Sequence, residues 1–135
     1  MEENTQDKKE MNVEDFIKAA SLGDLNTVKM FIEDGFDVNS KDQYGVTALM
    51  EAANGHLEIG KMLVEKGSGI NMKSKSGRTA LMGAANGHAD VVHLLIKKGA
   101  DINAKKDNGD TALVWAKKND HNDIVKLLMN HGAKE

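Results

Sequence analysis

The side chains best suited to chemistry in this 135-residue chain are five histidines, twenty-one carboxylates and a band of lysines. Histidines and carboxylates can hold a metal ion or move a proton, so their spacing decides what they do. His56, His88 and His121 occupy the same place in successive copies of a repeated block, and the repeat accounts for them without a metal. His93 lies among lysines and is expected to face solvent. His131 falls at a helix end, where it favours the negative pole of the helix dipole. No H-E-x-x-H pair occurs, and with no cysteine there is neither a thiolate site nor a disulfide. Asp37 and Asp101 also recur with the repeat. No serine, histidine and acid come together as a nucleophile with its base, and the glycines follow the repeat rather than a phosphate cradle. The chain reads as no enzyme, with no metal and no cofactor.

The repeat that positions these groups is explicit. Tyr44-Gly45-Val46-Thr47-Ala48-Leu49 returns as Ser76-Gly77-Arg78-Thr79-Ala80-Leu81 and as Asn108-Gly109-Asp110-Thr111-Ala112-Leu113, 32 residues apart each time. A period of this size marks stacked units that each need a neighbour to bury an apolar face. Within a unit, Leu49, Ala52 and Ala53 fall at helical spacing after Thr47, and the threonines Thr47, Thr79 and Thr111 sit as N-caps. Gly55-His56 and Gly87-His88 break the chain. A second helix then carries Ile59, Met62 and Leu63, later Val91, Leu94 and Leu95, and finally Ile124, Leu127 and Leu128. Gly67, Gly99 and Gly132 end it as left-handed caps. The polar stretch before the next threonine predicts a hairpin-like turn.

These blocks resemble ankyrin repeats. Gly77-Arg78-Thr79-Ala80-Leu81, Ala84-Ala85-Asn86-Gly87-His88 and Gly99-Ala100-Asp101-Ile102-Asn103-Ala104 follow that family's pattern, and the likeness runs over about residues 12–134. The fold implied is an all-α solenoid of four helix-turn-helix repeats over 12–41, 42–73, 74–105 and 106–135, behind a disordered tail over 1–11. The first repeat opens at Asn12, an N-cap before the buried stripe Val13, Phe16, Ile17 and Ala20, and reads as a terminal unit. Lys117, standing where the middle repeats have Ala53 and Ala85, marks the other cap. In the family the histidine of the inter-helix turn ties neighbouring repeats by hydrogen bonds.

Several departures stand out. There is no proline, and Met50, Met82 and Val114 replace the family's helix-one histidine, so methionine packing must substitute for its hydrogen bonds. The second and third repeats are one residue short between the alanine pair and the glycine. The missing residue should be absorbed in the turn, with the first helices ending near Ala53 and Ala85. Gly60 and Gly83 fall inside helices, each at a cost of about 1 kcal/mol, and Gly69 replaces the usual loop aspartate.

The charge distribution bears on partners. The net charge of −3 disfavours a dedicated nucleic-acid binder, yet residues 41–106 carry six acids against ten bases. Lys73, Lys75, Arg78, Lys105 and Lys106 gather at the turns, but aromatic stacking platforms for nucleic acid are scarce. No apolar run is long enough to span a membrane, and residues 1–10 lack a signal-like stretch, so a cytoplasmic monomer is expected. The resemblance implies a protein-binding module that uses its concave face and turn tips. A regulatory or accessory subunit of one enzyme is the alternative, and a nucleic-acid or anion binder ranks below both. Carried over by position, the contact residues are Gln43, Tyr44, Val46, Glu51 and Asn54, then Lys75, Ser76, Arg78 and Asn86, then Asp107, Asn108, Asp110 and Trp115. Tyr44 and Trp115 are the candidate anchors, because rigid aromatics dominate interface hot spots.

Overall fold

A computed structural model describes residues 12–135; the tail expected over 1–11 lies outside the described residues. Every regular element among the described residues is a helix. The first pair is α1 (Val13–Leu22) and α2 (Leu25–Glu33), the second α3 (Ala48–Ala52) and α4 (Leu57–Glu65). The third pair is α5 (Ala80–Ala84) and α6 (Ala89–Lys97), the fourth α7 (Ala112–Lys118) and α8 (Asn122–Asn130). Helices α1, α3, α5 and α7 stack as one layer, and α2, α4, α6 and α8 as a second layer beside it.

Local chemistry sets each start. Asn12 accepts from the Asp15 amide at 2.9 Å, so α1 begins where its cap predicts. Thr47 and Thr111 accept from the amides of Met50 and Val114 at 3.4 and 3.2 Å. Thr79 has the same extended cap backbone, but its buried hydroxyl makes no hydrogen bond, so the expected cap is present in position only.

The shortened repeats resolve as their length requires. In the first and fourth pairs the turn closes with a bond five residues back, from the Asp24 amide to Ala19 and from the His121 amide to Ala116, both 2.9 Å. In the second and third pairs the span is four residues, from His56 to Ala52 and from His88 to Ala84, again 2.9 Å. The same two ends meet with one residue fewer, and glycine supplies the angles: φ is +118° at Gly55 and +124° at Gly87. Helices α3 and α5 therefore stop at Ala52 and Ala84. Had the deletion fallen inside a helix, everything beyond it would rotate by about 100°; instead Leu63 and Leu95 are fully buried.

The core runs unbroken between the layers. Ala52, Ala53, Ala84, Ala85 and Ala116 have no exposed surface, which is how neighbouring first helices approach so closely. Met50 and Met82 are buried, as methionine packing at these positions requires. Phe16, Phe31 and Phe36 pack mutually at 5.1–5.3 Å in the first pair.

Between pairs, three asparagines act as clamps whose role the repeat pattern alone does not announce. Asn39 donates to the Gly67 carbonyl at 3.1 Å and accepts from the Gly69 amide at 2.7 Å. Asn71 does the same with Gly99 and Asp101 at 3.1 and 2.6 Å, and Asn103 with Gly132 and Lys134 at 3.1 and 2.9 Å. Each clamp crosses to the next loop, one repeat further along the chain.

The histidines pack in the same rhythm, with one correction. A Cβ placed on Gly23, Gly55 or Gly87 would stand 2.7, 3.0 or 3.2 Å from the ring of His56, His88 or His121, so each ring lies against the preceding glycine turn. Only His56 adds the hydrogen bond that the resemblance implies, its Nε2–H donating to the Ser21 carbonyl at 3.0 Å. Ser21 belongs to a full-length turn. The turns facing His88 and His121 lack that residue, and among the described residues neither ring has a hydrogen bond. No helix of the described residues is long and apolar enough to cross a membrane.

Candidate functional site

The turns between the helix pairs form one continuous strip. Each is a tight hairpin closed by Asp42 to Val46, Ser74 to Arg78, and Lys106 to Asp110, amide to carbonyl at 2.8–3.0 Å. Successive hairpins are then joined backbone to backbone: the Lys75 amide donates to Tyr44 and the Asp107 amide to Ser76, both at 2.9 Å. This stacking demands glycine. A Cβ on Gly45 would lie 3.0 Å from the Lys75 nitrogen, and one on Gly77 would lie 3.0 Å from the Lys106 Cα. Gly109 has open space beside it. Gln43, Tyr44, Lys75, Ser76, Asp107 and Asn108 are thereby displayed side by side, all exposed. Tyr44 is the aromatic side chain among them, with 63% of its surface free.

The remaining predicted residues divide. Asn54, Arg78, Asn86 and Trp115 converge on a cleft of about 360 Å³ between the turns and the first helices, floored by Met82 and Gly83 and closed at one side by Lys106. Glu51 joins through Arg78, whose guanidinium lies 3.4 Å from the Glu51 carboxylate and donates to the Met50 carbonyl at 3.3 Å. Lys106 Nζ stands 5.2 Å above the Trp115 ring, a cation–π contact. Val46 instead packs against the core, and Asp110 lies 3.8 Å from Lys118.

Gly83 needs a second correction. It was expected as a simple helix weakness, but a Cβ there would stand 3.0 Å from Asn54 Oδ1 and 3.4 Å from Arg78 Nη2. Its bareness makes room for the cleft. Met82, Gly83 and Lys106 are the lining residues that sequence reasoning left out of the site. The available signal was small: Met82 and Gly83 lie on the short α5 between the predicted Arg78 and Asn86, and Lys106 is the residue before the predicted Asp107.

Among the described residues no group of three or more histidines, cysteines or carboxylates gathers as metal ligands. Two carboxyls of the described residues are held below their usual range. Asp24 is lowered by hydrogen bonds from the Thr27 hydroxyl and amide, and Glu135 by its contact with Lys117 at 2.7 Å. Both lie away from the cleft.

Comparison with known families identifies the architecture. A family model described as ankyrin repeats in three copies matches residues 16–106, and a single ankyrin-repeat model matches residues 108–134. No curated protein matches the chain.

Proposed function

We propose a role from the premise that this chain belongs to the ankyrin-repeat family, whose members are generally protein–protein interaction modules and typically non-enzymatic. The chain binds a partner protein across the concave face made by its turn tips and first helices. The observation that carries this reading is the hydrogen-bonded strip of turns, which holds Tyr44, Ser76 and Asn108 in fixed register beside an open cleft. A pre-formed surface loses little conformational freedom on binding, which favours affinity. Tyr44 and Trp115 anchor the partner; Gln43, Glu51, Asn54, Lys75, Arg78, Asn86, Asp107 and Asp110 complete the surface, with Val46 supporting it from the core side. In this reading the module is a cytoplasmic monomer of four repeats. Lys117 and Asp120, polar where the inner repeats have Ala85 and Gly87, make the fourth repeat its cap.

The test is paired mutagenesis against a captured partner. Tyr44→Ala and Arg78→Glu should weaken capture while leaving the circular dichroism spectrum unchanged. Substitutions at Lys61 or His93, exposed on the second-helix layer, should leave capture intact. The opposite pattern overturns the proposal.

A further inference from the structure

The cleft has a chemical bias that the general reading does not use. Its polar lining is rich in donors: the Arg78 guanidinium, the Lys106 ammonium and the amides of Asn54 and Asn86, beside the Trp115 ring. No carboxylate lines it. The Trp115 N–H is buried and has no hydrogen-bond partner among the described residues. Lys106 has no carboxylate within ion-pair distance among those residues and rests on the indole ring instead. Lys73, Lys75 and Lys105, all exposed on neighbouring turns, extend the positive charge along the same edge.

Arg78 is engaged but loosely. Its contacts to Glu51 and Met50 are 3.4 and 3.3 Å, against about 2.7–2.9 Å for a good charge-assisted bond. Nη1 meets Glu51 and Nη2 meets the Met50 carbonyl, so no single carboxylate holds both prongs of the guanidinium, and a carboxylate that did would gain the paired bond that neither contact makes. A volume of about 360 Å³ falls at the small end of ligand pockets and suits one acidic side chain with its flanking backbone.

We propose that this cleft receives a carboxylate side chain from an extended acidic segment of the partner protein, and that Glu51 occupies Arg78 as a weak internal competitor until that segment arrives. The incoming carboxylate takes the fork of Arg78 and the ammonium of Lys106. Lys106 then leaves the indole face, which changes the environment of Trp115. This inference rests on the binding face proposed above and adds the chemistry that face selects.

The test uses the full chain and short end-blocked peptides of equal length in which alternate residues are Glu, Gln or Lys, with inorganic phosphate as the free-anion probe. Trp115 is the one tryptophan in the chain, so its fluorescence reports occupancy, and amide NMR shifts give the footprint. The Glu peptide should bind saturably, weaken with salt, and shift Asn54, Asn86 and the Trp115 indole. Phosphate alone should bind at least about tenfold more weakly, lacking the flanking backbone contacts. Arg78→Gln and Lys106→Gln should each reduce Glu-peptide affinity by about tenfold or more, Glu51→Gln should raise it several-fold, and Lys61→Gln should do neither.

Equal binding of the Gln peptide at the same residues overturns the carboxylate assignment and leaves the binding face standing, as does stronger binding of phosphate or of the Lys peptide there. A loss of affinity in Glu51→Gln overturns the competitor role. No binding by any probe overturns the acidic receptor, while the partner-capture variants at Tyr44, Lys61 and His93 still decide the face. Glu-peptide shifts confined to the second-helix layer overturn both.

Discussion

Replacing Gly77 and Gly109 by alanine, one at a time, separates a backbone cost from a stacking cost. The two glycines hold the same place in successive turns, with φ of +88° and +89°. A Cβ in this left-handed region costs about 1–2 kcal/mol, and both variants lose that much. Around Gly109 the new methyl meets nothing within 4 Å, so the loss stops there. At Gly77 it would stand 3.0 Å from Lys106 Cα and 3.2 Å from both the Asp107 nitrogen and the Lys105 oxygen. Those are backbone atoms and cannot rotate aside. The turn from Lys106 to Asp110 must move as a body, stretching the bond from Asp107 to Ser76 that now measures 2.9 Å. Overpacking costs about 1–3 kcal/mol and a lost hydrogen bond about 0.5–1.5 kcal/mol, so Gly77→Ala should lose about 2–4 kcal/mol beyond Gly109→Ala. For a chain of this length each kcal/mol lowers the melting temperature by about 3–5 °C. Far-UV circular dichroism melts should therefore place Gly109→Ala about 3–10 °C below the parent and Gly77→Ala at least about 6 °C lower again. Equal losses would refute the reasoning, since they would mean that the turns do not press on one another.

Further outcomes follow from the same geometry. Gly60→Ala adds a methyl 3.7 Å from Leu94, ordinary contact, and should gain about 1 kcal/mol in urea denaturation; a loss would show that the site is tighter than its spacing. Asp120, the one non-glycine at positive φ among the described residues (+59°), should give a more stable protein as glycine, by up to about 1 kcal/mol, and a less stable one as alanine. Asn71→Ala removes both bonds of one clamp and should cost about 1–3 kcal/mol, read by the same titration. Asp24 has its folded pKa lowered first by the Thr27 hydroxyl and then by the Thr27 amide, so its contribution is complete above the ordinary carboxylate range and fades as acid brings the pH down through the lowered value; Thr27→Val deletes the hydroxyl and keeps the amide, so it should shrink this part of the acid dependence without abolishing it. An alanine inserted after Ala53 restores the five-residue closure seen from Ala19 to Asp24 and offers His88 a carbonyl, so the melting temperature should rise; a fall would show the short turn to be fitted to its stack.

The fold was readable because its rules are local. Thr47, Gly67 and the Leu63 stripe each declare a helix start, stop or buried face within a few residues, and the 32-residue period multiplies that signal. The deletion before Gly55 was also legible, since only a turn can absorb it without expelling Leu63. What escaped depends on contacts between repeats. Asn71 looks like a loop residue until the stack brings Gly99 and Asp101 to its two ends. Gly83 looks like a flaw until Arg78 and Asn54 are seen beside it. Thr79 matches Thr47 in sequence but not in bonding, and no residue near Thr79 announces the difference. Among the turn lysines, Lys106 is distinguished only by Trp115, nine positions onward, beneath it.

The measurement that bears most directly on the account is hydrogen–deuterium exchange on the complex with a partner captured from native lysate, compared with the free chain. The account predicts slowed exchange over residues 43–54, 75–86 and 107–115, the turns and first helices, with α4 and α6 unchanged. Protection centred on Lys61 and His93 instead, with the turns exchanging freely, would contradict it.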